Sequence, residues 1–141
     1  MTTTESDDLT DALVQSAFTV MAVLNMLAAE HDLSLTQLRV MAILRDRRLR
    51  MSALSSYLGL DRSSLTGLVD RAAGRGLLER APNSQDGRAI DVFLTADGRK
   101  LANRLYAQVS TTLSDRASNL TGAEQQRLRT LLRKLIGDEP G

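Results

Sequence analysis

The segment between residues 50 and 95 constrains the fold more than any other part of the chain. Two short helical patterns, over 52–58 and 62–75, are separated by a turn that begins at Gly59 and ends at Asp61. Glycine readily adopts the positive φ that a tight turn between helices needs, and aspartate is a favoured helix N-cap. The pattern therefore predicts two helices joined at a sharp turn, with the first entered through Ser52.

Two strand patterns follow, over 77–81 and 89–94, and a polar turn containing Asp86 and Gly87 joins them. Such a turn between apolar runs is typical of a β-hairpin. The second strand alternates Ile90, Val92 and Leu94 with Asp91 and Phe93, which predicts that the first three face the core. The whole segment predicts a winged helix-turn-helix, an arrangement that lays one helix in the DNA major groove with a hairpin beside it.

Helical patterns also flank this segment. Apolar residues recur at helical spacing over 8–30, and a second helix follows that Ser34 or Thr36 can cap. Thr95 is placed to cap a long helix that ends near residue 117, and Thr121-Gly-Ala-Glu124 is a capping box that opens a last helix. The predicted fold is mainly α, with a small two-stranded β-wing.

The chain is predicted to form a single domain over 1–141, with a DNA-binding part over 36–96. The helices over 8–33 and 97–137 carry apolar stripes outside that part, and exposed stripes of this size are a liability in a monomer. Packing on a second copy of the chain buries these stripes. It also relates by two-fold symmetry the two copies of the helix over 62–75, the predicted recognition helix that enters the DNA major groove. Packing within one chain as a helical bundle is the open alternative.

Composition excludes several classes of function. The 141 residues are 43% apolar and 25% charged, which is typical of a globular protein. There is no cysteine and one histidine, His31, so the sequence predicts no metal site, no cofactor and no enzyme activity. No apolar run reaches the length of a membrane-spanning helix, and the N-terminus is acidic where a signal peptide is basic, so we expect a cytoplasmic protein with no membrane partner.

The net charge of +1 conceals an uneven distribution. Residues 1–35 carry a net charge of −6, residues 36–100 carry +5, and residues 101–141 carry +2. Positive charge is concentrated on the predicted DNA-binding part, as neutralisation of phosphates requires. A winged helix used only for protein–protein contact, without specific DNA binding, is the alternative, and the cationic segment disfavours it.

These residues together resemble the MarR family of bacterial winged-helix transcription regulators. The similarity extends over nearly the whole chain. The stretches that carry it are Leu38-Arg39-Val40-Met41-Ala42-Ile43-Leu44, Met51-Ser52-Ala53-Leu54, the run from Leu60 to Arg71, and Gly76-Leu77-Leu78. The most specific stretches are Asp86-Gly87-Arg88 in the wing and Leu94-Thr95-Ala96-Asp97-Gly98 after it.

The resemblance implies a homodimer that binds a pseudo-palindromic operator on double-stranded DNA, most often as a repressor. It also implies that Arg88 enters the minor groove and that Asp86 pairs with this arginine and holds it. Arg62, Ser63, Ser64 and Thr66 fall on the groove-facing side of the recognition helix, although Ser63 and Ser64 can instead support the helix cap. The complete set of candidate DNA contacts is Arg50, Ser52, Arg62, Ser63, Ser64, Thr66, Arg71, Arg75, Asp86 and Arg88.

Among these, Arg71 and Arg75 lie late on the helix and are expected to contact phosphates, as are Arg50 and Ser52. The resemblance further implies a small lipophilic or phenolic effector, bound between the dimerisation and DNA-binding parts. Met21, Met26 and Met41 have the helical spacing of core residues, although methionines can also line an adaptable pocket. His31 is interpreted as a structural or surface residue.

Overall fold

The computed structural model describes residues 3–137 of the chain, and side chains from Asp8 onward. The remaining residues of the predicted 1–141 domain lie outside the described part, as do the acidic side chains of Glu5 and Asp7. The elements are α1 (Thr3–Glu30), α2 (Leu35–Leu44), β1 (Leu49–Arg50), α3 (Met51–Leu58), α4 (Arg62–Gly74), β2 (Leu78–Pro82), β3 (Ile90–Leu94), α5 (Ala96–Ala117) and α6 (Gly122–Ile136). The mainly α winged helix-turn-helix is confirmed.

Local capping chemistry fixes where the helices begin. Of the two candidate caps of α2, Ser34 is the one used: its hydroxyl accepts the N–H of Gln37 at 3.1 Å, and the Gln37 side chain accepts the N–H of Ser34 at 2.9 Å. Asp61, Thr95 and Thr121 each accept the N–H three residues on, at 2.7, 3.0 and 3.2 Å. Each predicted cap therefore satisfies a backbone donor that the helix itself leaves unpaired.

The entry to α3 differs from the prediction. The helix starts at Met51, its N-cap is Arg50, and no side chain caps it, so Ser52 does not serve as the entry residue. The other end of α3 is as predicted, because Gly59 adopts a left-handed φ of 64° and closes the turn. The N–H of Leu60 donates to the carbonyl of Ser55 at 3.2 Å across this turn.

The wing is part of a three-stranded antiparallel sheet with the order β1-β3-β2, so the prediction of two strands is incomplete. In this sheet β1 pairs with β3 through Leu49 opposite Val92. The predicted orientation of the first part of β3 is also wrong. Ile90 is 39% exposed, whereas Asp91 is only 8% exposed. A local bonding network, described below, explains the burial of this carboxylate.

The core lies between α2, α3, α4 and the sheet. Its most buried large side chains are Val40, Ile43, Leu44, Leu54, Leu65, Val69, Leu78 and Val92. Ala102 and Leu105 join α5 to this core, and Ala28 joins the end of α1 to it. The first turn of α5 lies so close to the residue before β2 that a Cβ built on Gly98 would be 2.0 Å from the carbonyl oxygen of Leu77. Glycine at position 98 therefore allows the wing to be followed directly by α5.

The outer helices are poorly covered by the chain itself. No residue of α6 is buried, although Leu128, Leu131, Leu132, Leu135 and Ile136 are large and apolar. In α1, Leu9, Val14, Phe18 and Met26 are similarly exposed. The segment Asp8–Glu30 is long and apolar enough to cross a membrane by length and composition, so the expectation of no such segment is not confirmed. In the structure this helix packs against α2 and α5.

Candidate nucleic-acid interface

Helix α4 presents its first turn to solvent. Leu65, Leu68, Val69 and Ala72 are buried along its inner side, which leaves Arg62, Ser63 and Ser64 exposed at the N-terminal end. The carboxylate of Asp61 accepts the N–H of Ser64 at 2.7 Å, and this bond lowers the pKa of Asp61. Asp61 therefore stays ionised and holds the first turn of α4 in place.

A groove of about 370 Å³ separates this turn of α4 from the wing and the start of α3. Its lining includes Arg50, Ser52, Arg62, Thr66, Arg80 and Arg88. Five of these six residues are predicted DNA contacts, so the fold brings together side chains that are up to 38 positions apart in sequence. Four arginines line this groove, one of them (Arg80) paired with Asp70, and together they form a site suited to a polyanion.

Arg80 is the groove residue that sequence reasoning missed. It lies on β2, and its Nη2 is 2.5 Å from Oδ1 of Asp70 on α4. This ion pair connects β2 of the wing to α4. A charged residue on the outer face of a short strand carries no distinctive pattern, so only the ion pair and the groove lining identify it.

The wing tip is ordered by side chain to backbone bonds. The side-chain oxygen of Asn83 accepts the N–H groups of Gln85 and Asp86 at 2.9 and 3.0 Å. Its amide nitrogen donates to both carboxylate oxygens of Asp91, at 2.9 and 3.2 Å. Asn83 thus connects the buried Asp91 to the tip that carries Arg88.

Asp86 contacts Arg88 in a different way from the predicted pairing of side chains. Its Oδ1 accepts the backbone N–H of Arg88 at 3.1 Å, and the backbone carbonyl of Asp86 accepts the N–H of Ala89 at 3.0 Å. The aspartate therefore holds the main chain of the turn. The Arg88 side chain is exposed beside the groove.

Two hydroxyls of α4 are bonded within the helix. Thr66 Oγ1 donates to the carbonyl of Arg62 at 2.7 Å, and Ser63 Oγ lies 3.4 Å from Oδ1 of Asp61, to which it donates a weak bond. Both oxygens retain the capacity to accept a further hydrogen bond. Ser63 and Ser64 are both bonded to the cap residue Asp61 and exposed to solvent, so a role in the cap and a DNA contact both remain open for them.

Arg71 and Arg75 lie in different surroundings, although both were expected to contact phosphates. A Cβ on Gly67 would be 3.3 Å from Nη1 of Arg71, so this guanidinium lies along the surface of α4 next to the glycine. Arg75 donates from both terminal nitrogens to the carbonyls of His31 and Asp32, at 2.8 Å each. The predicted phosphate contact of Arg75 is therefore not supported, because its guanidinium is committed to the turn between α1 and α2.

A second cavity, of about 260 Å³, lies between α1, α2 and α5. Its lining is apolar except for two side chains, Arg45 and Tyr106, and consists of Leu24, Leu38, Ala42, Arg45, Ala102, Leu105, Tyr106 and Val109. The Arg45 guanidinium lies 3.8 Å from the centre of the Tyr106 ring. The three methionines are not part of this lining: Met41 is in the core, whereas Met21 and Met26 are exposed, so core packing is confirmed only for Met41.

Comparison with known proteins is consistent with this geometry. A model of the MarR family matches residues 31–89. The multiple antibiotic resistance protein MarR of Salmonella typhimurium is 30% identical over 116 residues, which are 81% of each chain. The homoprotocatechuate degradative operon repressor of Escherichia coli is 29% identical over 131 residues, which are 92% of this chain and 88% of the relative.

Two solved structures are similar over almost the whole chain. A mutant of MarR from E. coli in complex with operator DNA has a TM-score of 0.73 and 27% identity, and the match covers 94% of this chain and 96% of that one. NadR in complex with 4-hydroxyphenylacetate has a TM-score of 0.77 and 25% identity, with 93% and 94% covered. Fold, groove and relatives agree, and the chain belongs to the MarR family of transcriptional regulators.

Proposed function

We propose that this regulator binds a pseudo-palindromic operator as a homodimer, with α4 in the major groove and the wing in the adjacent minor groove. The observation that carries the proposal is the groove with the guanidinium groups of Arg50, Arg62, Arg80 and Arg88. Its walls are a helix N-terminus and a hairpin, the two elements that enter neighbouring grooves in winged helices. A narrow minor groove attracts arginine, and this suits the exposed Arg88 at the wing.

The other predicted contacts take their places around this groove. Ser63, Ser64 and Thr66 follow Arg62 along the exposed start of α4, and Ser52 lies across the groove from them at the start of α3. Arg71 is the next exposed cation along α4 and suits a phosphate. We retain Asp86 as the residue that shapes the wing, and we remove Arg75 from the set of contacts.

The dimer is supported by the uncovered apolar surfaces of the outer helices. A broad hollow of about 830 Å³ runs between α1, α5 and α6, and its lining includes Val20, Leu113, Leu128 and Leu132. Surfaces of this kind mark a protein interface in a chain that is otherwise globular. We assign the helices over 8–33 and 97–137 to a two-fold interface, which sets two recognition helices on successive turns of the same DNA face.

The cavity between α1, α2 and α5 is the proposed effector site. An aromatic acid fits its chemistry, because apolar walls cover a ring while Arg45 attracts a carboxylate. The NadR complex with 4-hydroxyphenylacetate supports a phenolic ligand. The homoprotocatechuate operon repressor of E. coli supports a role as a repressor. We place this protein in the cytoplasm. Isothermal calorimetry with 4-hydroxyphenylacetate should give binding that Arg45→Ala weakens about tenfold or more, since a hydrogen bond to a charged group is worth about 1.5–3 kcal/mol. Equal binding by both proteins contradicts the assignment.

Duplexes selected by the wild-type protein from random DNA provide the test of DNA binding. Arg88→Ala is expected to weaken binding to the selected duplex by about fivefold to a hundredfold per half-site, because a good groove contact is worth about 1–3 kcal/mol. Arg104→Ala is the matched control, since Arg104 is exposed on α5 outside the groove. Both variants should remain dimers in sedimentation.

The same titrations separate DNA binding from a protein–protein module. Wild-type affinity should fall steeply as salt rises, with a slope of about 0.9 for each phosphate neutralised. A wild-type protein without salt-dependent duplex affinity would overturn the proposed function. An Arg88→Ala affinity equal to that of Arg104→Ala would overturn the wing assignment alone.

A further inference from the structure

Arg75 lies at the C-terminal end of the recognition helix, far from the groove. It is the C-cap of α4, and Gly76 follows it with a φ of 74°. The 13 residues of α4 span about 20 Å, since each residue of an α-helix adds about 1.5 Å. Arg75 is therefore separated from the exposed first turn of α4 by the length of the helix.

Its guanidinium holds the turn that ends α1. The two bonds of 2.8 Å reach successive carbonyls, those of His31 and Asp32, and Asp32 has a left-handed φ of 55°. A helix C-terminus carries partial negative charge and unpaired carbonyls, which a nearby cation stabilises. The last turn of α1 has no basic residue of its own. Arg75 thus supplies from α4 the cation that the end of α1 lacks.

The same turn is bonded to α5. The Nε2 of His31 lies 3.0 Å from the side-chain oxygen of Gln108, in a part-buried contact. Helix α4 otherwise packs mainly on α3 and on β2, within the DNA-binding part. The chain of contacts from Arg75 through the His31–Asp32 turn to Gln108 therefore gives α4 a polar connection to α1 and α5, two of the helices assigned to the proposed dimer interface.

We infer that Arg75 is a positioning residue that fixes the recognition helix relative to the dimerisation helices and so selects the spacing of the two operator half-sites. The inference rests on the proposed function. A guanidinium bonded to two successive carbonyls restrains both the distance and the orientation of the groups it joins, because its donors form a rigid planar fork. Lysine at this position keeps the charge and loses the fork.

Distances within the dimer provide a test that needs no DNA. The natural sequence contains no cysteine, so a nitroxide label on Ser63→Cys places one spin on each recognition helix of a dimer. Double electron–electron resonance should give one narrow distribution of the distance between the two labels when Arg75 is present. In the background of Arg75→Ala, and to a lesser degree Arg75→Lys, the distribution should broaden or shift by several ångströms. Distributions that stay narrow and unshifted in both variants overturn the inference.

Binding to the selected duplex gives the second measurement. Wild-type protein should prefer the selected half-site spacing over duplexes with one base pair added or removed, and Arg75→Ala should reduce that preference about tenfold with an unchanged salt slope. Arg71→Ala, the comparison variant, should keep the preference and lower the slope by about 1.8 per dimer, at about 0.9 per phosphate contact. If Arg75→Ala behaves like Arg71→Ala instead, Arg75 is a phosphate contact and the inference is wrong.

The two measurements also separate this inference from the proposed function. A wild-type protein that fails to bind duplex overturns the proposed function, and the spin-label distances then decide the role of Arg75 independently. If Arg75→Ala does not fold, Arg75→Lys carries both measurements, because it retains the cation at the end of α1. A wild-type spacing preference and a wild-type distance distribution in Arg75→Lys then overturn the inference.

Discussion

Asn83→Ala should destabilise the wing, although Asn83 itself does not line the groove. The substitution removes the bonds of 2.9 and 3.2 Å to Asp91 and leaves that carboxylate, in a residue only 8% exposed, with Arg48 at 3.9 Å as its remaining side-chain partner in the described part of the chain. Loss of a hydrogen bond to a buried charged group costs about 1.5–3 kcal/mol. The two backbone N–H groups at the tip also lose their acceptor, although water replaces it at an exposed turn.

These contributions add to about 2–4 kcal/mol of unfolding free energy. If about 1.4 kcal/mol of this becomes the cost of ordering each wing on DNA, affinity falls about tenfold per wing and about a hundredfold per dimer. Urea denaturation measures the loss in unfolding free energy, and fluorescence anisotropy with the selected duplex measures the loss in DNA affinity. Ser84→Ala is the matched control, because Ser84 is an exposed neighbour in the same turn.

The reasoning fails if Asn83→Ala matches Ser84→Ala in both measurements. A second variant sharpens the test. Asn83→Asp keeps an oxygen for the turn but places a second carboxylate against Asp91, and two carboxylates at this distance oppose each other's ionisation. The turn keeps its acceptor, so a loss of stability in Asn83→Asp at pH 7 should come from the repulsion between the two carboxylates.

Three further variants test the glycine contacts and a helix cap. Gly98→Ala should cost about 3 kcal/mol or more, because its Cβ would meet the fixed backbone oxygen of Leu77 at 2.0 Å. Gly67→Ala should instead stabilise the protein by about 0.5–1 kcal/mol, because alanine favours a helix and only the flexible Arg71 must move. Melting temperatures that fall in Gly98→Ala and rise in Gly67→Ala support this account, whereas equal decreases in both variants contradict it. Hydrogen bonding lowers the pKa of Asp61 in the folded state, so its contribution is present above the ordinary aspartate pKa, about 3.9, and is lost as the pH falls through the lower folded value. Asp61→Ala should therefore reduce the difference between the unfolding free energies at pH 7 and pH 3. If this difference is the same as in the wild type, Asp61 does not stabilise the helix as a cap.

Local chemistry explains which parts of the fold the sequence could predict. The caps at Asp61, Thr95 and Thr121 depend on side chains and N–H groups three residues apart, so they are visible in a short stretch of sequence. The positive φ of Gly59 is likewise a local requirement. These predictions are confirmed because no distant contact competes with them, whereas Ser52 does not open α3 because the preceding Arg50 is paired with Asp91 in the sheet and the helix starts directly after it.

The features that escaped prediction depend on distant partners. Strand β1 has only two residues, which form a strand because β3 pairs with them. Asp91 is buried because Asn83 satisfies its carboxylate, and this reverses the expected exposure of its neighbour Ile90. The prediction of a phosphate contact for Arg75 rests on its charge and its place on a helix, and its carbonyl partners more than 40 residues earlier are not visible in that local pattern.

If α6 is covered in the proposed dimer, its exposure in the single chain makes protein concentration a factor in DNA binding. Association that covers this apolar face stabilises the folded chain, so the melting temperature should rise with protein concentration. Below the dissociation constant of the dimer, the population able to bind DNA grows with the square of the total protein. A twofold change in expression then alters operator occupancy by more than twofold, so gene dosage affects repression even without a ligand.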